Sequence, residues 1–214
     1  MVDLAALFEL AQRCAPTIAP MTMVSIVQVE SRGNPLAINV NRAPDPPPAG
    51  SREQAIATAE RLIAQGQNLD LGLAQINSRN LAPLGLTVAD AFEPCKNLAA
   101  SATLLQANYV AAARLAPAQQ ALRMAFSAYN TGNHRRGFLN GYVAKVEAEA
   151  IKLSPGAISG ASGIKPALPP ALQAAVEAAA ENIGGGEQTA SKPSLDVFAR
   201  GASRTIVVFG GGGQ

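Results

Sequence analysis

One segment near the amino terminus places an acidic side chain where a helix would bury it. Residues 22–31 hold an apolar stripe at helical spacing, formed by Met23, Ile26 and Val27, and Glu30 falls on the same stripe. Positions three, four and seven apart share a face because one helical turn takes about 3.6 residues. Burial disfavours the charged form of a carboxyl group, which makes Glu30 a candidate general acid. The competing interpretation is a glutamate at a helix end that simply reaches water.

The residues after Glu30 predict an abrupt end to this helix. Gly33 favours a carboxy-terminal cap, and Pro35 cannot continue the ladder of backbone hydrogen bonds, so Glu30 would lie in the last turn, beside the next loop. Two polar clusters follow in apolar surroundings, Gly-Leu-Ala-Gln-Ile-Asn at 72–77 and Ala-Tyr-Asn-Thr-Gly at 128–132. Uncharged amides and a phenol both donate and accept hydrogen bonds, which suits a ligand rich in hydroxyl and acetamido groups.

The Glu-Ser pair at 30–31 and these two clusters, taken in order, resemble the three signature blocks of the soluble lytic transglycosylases. Supporting segments lie at 93–98, where the family enters a long helix, and at 142–146 near the end of its domain. The resemblance covers roughly residues 4 to 150. The sequence around Cys14 and from Asp70 to Leu81 looks most like that of the small transglycosylases encoded with type IV secretion or conjugation machines.

This resemblance implies a mainly α, lysozyme-like domain with a substrate groove, acting on the peptidoglycan glycan strand without metal or cofactor. Glu30 would protonate the oxygen between N-acetylmuramic acid and N-acetylglucosamine, and its carboxylate would then deprotonate the muramyl C6 hydroxyl, leaving a 1,6-anhydro ring. The cleavage would open the cell wall locally for a secretion apparatus. Ala74 stands where the family often has Met, which implies a smaller subsite wall. The positions that match the family's substrate-binding residues are Ser31, Gln75, Asn77, Tyr129, Asn130 and Tyr142.

Two other functions stay open at this point. Ordinary glycosidases use two carboxylates, and Asp70, two residues before Gly72, is the best second candidate for a hydrolytic muramidase, although it also suits a role in capping or orienting the loop. A wall-binding scaffold without catalytic activity is the third interpretation. An acid on a buried helix face argues against the scaffold, because binding alone does not need one.

The chain divides by composition into residues 1–153 and 154–214. The first part predicts further helices from Ser51 to Gly66, from Asn97 to Ala113, from Pro117 to Tyr129 and from Val143 to Leu153, with no convincing strand pattern. The second part is rich in Pro, Gly and Ala and predicts a flexible linker and tail, with a partner-binding segment for secretion components as one role and disorder without function as the other.

Charge and hydropathy exclude two other classes of protein. The net charge is only +2, which gives no electrostatic case for nucleic acid, and no apolar run approaches the ~18 residues of a membrane span. Residues 1–14 predict an amphipathic helix interrupted by Asp3 and Glu9, which is not the pattern of a secretory signal. The substrate implied by the resemblance nevertheless indicates the periplasm, so the route of export stays open.

The two cysteines, Cys14 and Cys95, lie in separate helical regions. An even number in an oxidising compartment favours a disulfide, which would close a loop of about 80 residues and contribute on the order of 4 kcal/mol in the chain-entropy model. Two buried free thiols are the alternative. A metal site is not expected, because His134 is the single histidine and neither cysteine has a Cys or His nearby.

Overall fold

The computed structural model describes residues 1–154, and the tail predicted for residues 154–214 therefore lies almost wholly outside the described residues. The described part is mainly helical, as the sequence predicts. Its helices are α1 Leu4–Cys14, α2 Pro20–Glu30, α3 Arg52–Ala64, α4 Val88–Ala91, α5 Pro94–Ala113, α6 Ala118–Thr131, α7 Arg136–Leu139 and α8 Tyr142–Leu153. Its strands are β1 Ile38–Val40, β2 Leu69–Leu71 and β3 Ile76–Asn77, the last followed by a 3₁₀ turn at Ser78–Asn80.

Helix α2 lies at the centre of the domain. The six consecutive residues 22–27 are all buried, so the helix has apolar neighbours on every side rather than along one stripe. Helix α1 packs against one side of it and α8 against another, and the α5–α6 hairpin packs in turn on α1 and α8. A helix that is apolar all round is stable only inside such a core, so the carboxyl end of α2 has a fixed position.

The structure contains a small antiparallel sheet that the sequence pattern does not predict. Its order is β1-β2-β3, and its strands have only two or three residues, which is too short for an alternating pattern to be visible. The register places Asp70 opposite Asn39 on one side and Asn77 on the other. Because directly opposed residues in a sheet have their side chains on the same face, these three polar side chains form one row.

Helix boundaries differ from the predicted ones by one to three residues. Ser51 caps α3 as expected, but the Gln54 amide accepts from Gly50 N and not from Ser51 N, so the reciprocal bond of a capping box is displaced by one residue. Helix α5 begins earlier than predicted, at Pro94, because Glu93 caps it with its carboxylate. Pro117 is the residue before α6 and not its first turn.

Cys14 and Cys95 are joined by a disulfide, with a Cα–Cα distance of 5.1 Å and 81 residues between them in sequence. The bond ties the end of α1 to the first turn of α5. A loop of that length is worth on the order of 4 kcal/mol if the entropy of the unfolded chain dominates.

Two negative findings concern the described residues alone. Among residues 1–154, no helix combines the length and the apolar character that a membrane crossing requires. The same residues contain no cluster of three or more His, Cys, Asp or Glu side chains placed to hold a metal ion.

Candidate active site

Glu30 is the last residue of α2, and its side chain is half-buried. The hydroxyl group of Tyr142, the first residue of α8, donates a hydrogen bond of 2.5 Å to Oε1 of Glu30. Tyr142 itself is only 5% exposed, so the packing of α8 against α2 fixes the phenol. The carboxyl group is therefore oriented by a buried donor and is still reachable from solvent.

The surroundings of Glu30 raise its pKa from 4.5 to about 7. Desolvation by burial is the largest cause, the hydrogen bond from Tyr142 acts in the opposite direction, and the negative charge of Asp70 adds to the increase. A carboxyl group with a pKa near neutrality carries its proton in a large fraction of molecules at pH 7. It can donate that proton and can take one back afterwards, as an acid/base catalyst must.

A tight loop at residues 72–75 lies next to this carboxyl group in the fold and depends on glycine at its start. Gly72 has φ of +75°, and a Cβ there would lie 2.2 Å from the carbonyl oxygen of Ala91 and 2.5 Å from Nδ2 of Asn97. Both the left-handed conformation and the lack of space exclude a side chain. Gln75 also has a positive φ, of +51°, which is a strained conformation for a residue other than glycine.

The amide of Asn97 holds this loop from within the core. Asn97 is 1% exposed, and it accepts from Ala74 N at 2.8 Å while donating to the carbonyl oxygens of Leu71 at 2.9 Å and Ala91 at 2.7 Å. All three bonds go to backbone groups in the interior, where an unpaired polar group is costly. The loop is thereby fastened to the first turn of α5, two residues after the disulfide.

The side chains of Ser31 and Tyr129 also form hydrogen bonds to the 72–75 loop. Ser31 caps α2 and donates to the carbonyl oxygen of Leu73 at 2.6 Å, so it joins the end of the Glu30 helix to the loop. The hydroxyl of Tyr129 donates to the carbonyl oxygen of Ala74 at 2.7 Å and shares a 2.9 Å bond with the buried Ser101. Burial raises the pKa of Tyr129, which keeps it a neutral donor.

Asp70 lies on the middle strand, with both carboxylate oxygens occupied. Asn77 donates to Oδ1 at 2.7 Å, while Asn41 at 2.9 Å and Asn39 at 3.4 Å donate to Oδ2. Three amide donors compensate the negative charge without neutralising it. The row of side chains on the sheet thus holds a fixed anion whose field reaches Glu30.

The remaining predicted site residues differ in how many of their hydrogen-bonding groups are already used within the protein. Gln75 donates through Nε2 to the carbonyl oxygen of Gly72 at 2.9 Å, and Asn77 uses both ends of its amide, towards Asp70 and Arg79 N. Asn130 is exposed and accepts a 2.9 Å bond from Asn140 through Oδ1.

Ala74 is fully buried. Its side chain therefore does not form a wall of the groove, which differs from the subsite role that the resemblance implies.

Several residues of the site were not singled out from the sequence. Asn97 and Ser101 are four residues apart in a helix of alanine and leucine, and this polar pair on a buried face was the available signal. The asparagines at 39 and 41 gave no comparable signal, because the sheet that brings them to Asp70 has strands too short to predict.

Comparisons with known proteins identify the family of this chain. The family model for the transglycosylase SLT domain matches residues 9–152. Among the relatives, "Protein virB1" of Rhizobium radiobacter is 44% identical over 150 residues, which is 70% of this chain and 63% of that protein. "Type IV secretion system protein virB1" of Brucella abortus is 47% identical over 148 residues, covering 66% of this chain and 62% of the relative.

The chain thus spans somewhat more than three fifths of the length of the relatives that it matches. No solved structure shows a significant match. With two thirds of its residues within the family model and relatives well above 40% identity, the chain belongs to the transglycosylase SLT domain family.

Proposed function

We propose that this protein is a lytic transglycosylase that cleaves the β-1,4 bond between N-acetylmuramic acid and N-acetylglucosamine in peptidoglycan. The observation that carries the proposal is the half-buried Glu30, whose pKa of about 7 and bond to Tyr142 make it a positioned acid in a domain of this family. The other charged group of the site, Asp70, is already bound by three asparagine amides.

The proposed reaction needs one acid because the substrate supplies the nucleophile. Protonated Glu30 gives its proton to the glycosidic oxygen as the bond from that oxygen to C1 of the muramyl residue breaks. The C6 hydroxyl of the same residue attacks C1, and its proton passes to the Glu30 carboxylate. The products are a free 4-hydroxyl group on one fragment and a 1,6-anhydromuramyl end on the other, and Glu30 returns to its starting protonation state.

Intramolecular attack makes this route efficient, since the nucleophile is held next to the reacting carbon. Such proximity can supply several kcal/mol of the barrier. The fixed negative charge of Asp70 would stabilise the positive charge that develops on the sugar ring in the transition state. Ser31, Tyr129 and Asn97 would keep the 72–75 loop in place under the substrate, and Gln75, Asn130 and Tyr142 would complete the groove.

A hydrolytic muramidase is the second candidate, and the position of Asp70 is the observation that favours it. The negative charge of Asp70 raises the pKa of Glu30, and an acid with a raised pKa beside a second carboxyl group is the arrangement used by ordinary glycosidases. In that reaction Asp70 would either activate a water molecule as a base or attack C1 of the sugar as a nucleophile, and the product would carry a reducing end.

The cellular role follows from the names of the relatives and is also part of the proposal. Relatives at 47% identity are called type IV secretion system proteins, so this chain would open the wall locally for such an apparatus. Its proposed substrate would require it to act in the periplasm. Residues 154–214 would contact secretion components.

The nature of the products distinguishes the two reactions. Purified protein is incubated with sacculi, and the soluble muropeptides are identified by mass spectrometry. Anhydromuramyl ends support the transglycosylase, reducing ends support the muramidase, and no soluble product from folded protein would favour a wall-binding scaffold.

A further inference from the structure

The charges of the domain are unevenly distributed along the chain. Residues 1–93 contain nine Asp and Glu, whereas the stretch from Pro94 to Val146 contains none. That acid-free stretch carries six cations: Lys96, Arg114, Arg123, Arg135, Arg136 and Lys145. The second half of the domain therefore presents positive charge although the net charge of the whole chain is only +2.

Some of these cations are neutralised by acids from outside the stretch. Arg123 pairs with Glu147 at 2.7 Å, and Lys96 pairs with Asp90. Arg135 and Arg136 are exposed, and within residues 1–154 neither has a carboxylate oxygen within 4.0 Å. Within this described range, two adjacent guanidinium groups thus have no carboxylate partner and could meet an anion.

The backbone beneath these arginines is held firmly. Oδ1 of Asn133 accepts from the amide nitrogens of Arg135 at 2.9 Å and Arg136 at 3.2 Å. Oγ of the buried Ser127 accepts from Gly137 N at 2.8 Å and donates to the carbonyl oxygen of Asn133 at 2.6 Å. A Cβ on Gly137 would lie 2.5 Å from Cα of Ser127, so α7 touches α6 at backbone distance.

The same segment continues directly into the active site. Asn140, which follows α7, donates to Oδ1 of Asn130 at 2.9 Å and accepts from Tyr142 N at 3.0 Å. Tyr142 in turn holds Glu30. Two exposed apolar residues lie between the arginines and Asn140: Phe138 is 37% exposed and Leu139 is 87% exposed. Charged and apolar surface therefore adjoin at one edge of the groove.

We propose that Arg135, Arg136, Phe138 and Leu139, the basic corner, bind the peptide stem of the muramyl residue being processed. The inference rests on the proposed function, because it assigns a part of the peptidoglycan substrate. The stem hangs from the lactyl group of the sugar whose C1 reacts, so it leaves the groove beside Glu30. Its carboxylates match guanidinium groups, and its alanine methyl groups and alkyl chain match Phe138 and Leu139. The glycan alone offers little negative charge for two arginines.

Activity on glycan strands with and without peptides distinguishes stem binding from a structural role of the two arginines. The full chain and its Arg135→Gln/Arg136→Gln variant are assayed on peptide-bearing strands and on the same strands freed of stems by an amidase, with the lactyl carboxylates that the amidase exposes then converted to methylamides. Arg114→Gln is the matched control, because it removes an exposed cation at the carboxyl end of α5, just before α6, and the first residue of α6, Ala118, is about 18 Å along the helix axis from Asn130.

The proposal predicts that the double variant loses about fivefold in kcat/KM on peptide-bearing strands at about 0.01 M salt, since each exposed ion pair is worth up to about 1 kcal/mol. The loss should fall towards zero at about 1 M salt. On peptide-free strands, the double variant and the unchanged protein should have the same kcat/KM. Arg114→Gln should leave both rates unchanged.

Three results would overturn the proposal. An equal loss on both kinds of strand would mean a structural role for the arginines, and no loss on either would mean that the stem is not bound there. Unchanged kinetics together with weakened binding to anionic phospholipid vesicles would assign the basic corner to a lipid surface. Failure of the proposed function would look different, because the unchanged protein would then release no fragments from either kind of strand.

Discussion

Replacing Glu30 with Gln should stabilise the fold, and the gain should depend on pH. The folded-state pKa of Glu30 is about 7 against 4.5 for an exposed glutamate, because burial disfavours the charged form. A carboxyl group whose pKa is raised on folding has its full stabilising contribution to the free energy of unfolding below its unfolded pKa, where it is protonated in both states. That contribution is lost as the pH rises through the folded pKa, because the unfolded chain can ionise the group more easily than the folded one. The window for Glu30 is therefore about pH 4.5 to 7.

The size of the effect follows from the same values. A shift of about 2.5 pKa units corresponds to about 3 kcal/mol, since each unit is 1.36 kcal/mol. Glutamine is neutral at every pH and can still accept the hydrogen bond from Tyr142. The difference in unfolding free energy between Glu30→Gln and the unchanged protein should thus increase by about 3 kcal/mol between pH 4 and pH 8.

Urea denaturation at several pH values measures this difference. Glu60→Gln, which removes an exposed carboxylate on α3, controls for the loss of one negative charge. In thermal denaturation the same effect would be roughly 6–12 °C in Tm at pH 8 for a domain of this size. A difference between Glu30→Gln and the unchanged protein that stays constant from pH 4 to pH 8 would refute the reasoning, because it would show that Glu30 is not desolvated in the fold.

Three more predictions test how the neighbours of the acid act. Tyr142→Phe removes the hydrogen bond that favours the Glu30 carboxylate, so the alkaline limb of the pH–activity profile should move to higher pH; an unmoved limb would contradict the contact. Asp70→Asn removes a negative charge that raises the pKa of Glu30, so the same limb should move to lower pH, and a move upward would be inconsistent with the charge effect. Asn97→Ala removes three hydrogen bonds to buried backbone groups and should cost about 3 kcal/mol in urea denaturation, whereas a cost below about 1 kcal/mol would mean that water replaces the amide.

The sequence predicts the helical class of the fold and the family, because both depend on local patterns. The apolar spacing around Met23 and the stop at Gly33 locate the end of α2, and the three polar blocks lie in a recognisable order. The small sheet could not be predicted in the same way. Its strands are set by long-range pairing between residues 38–40 and 69–77 and not by their own pattern.

The roles of individual site residues were harder to predict than their identity. The family resemblance implies that Tyr129 positions Glu30 or stacks near the cleaved bond and that Tyr142 closes the back of the pocket. In the structure it is Tyr142 that donates to Glu30, while Tyr129 donates to the carbonyl oxygen of Ala74. That distinction depends on how α8 packs on α2 and how α6 packs on α5 and α8. Asn97 was likewise visible in the sequence, but its three backbone partners come from segments that only the tertiary fold brings together.

The most direct test of the central claim is mass spectrometry of the muropeptides released from sacculi by the purified protein and by its Glu30→Gln variant. The account predicts 1,6-anhydromuramyl ends from the unchanged protein and no soluble fragments from the variant, with both proteins folded. Reducing ends in place of anhydro ends would contradict the proposed reaction and point to Asp70 as a second catalytic carboxylate. Full lytic activity of Glu30→Gln would contradict the assignment of the acid itself.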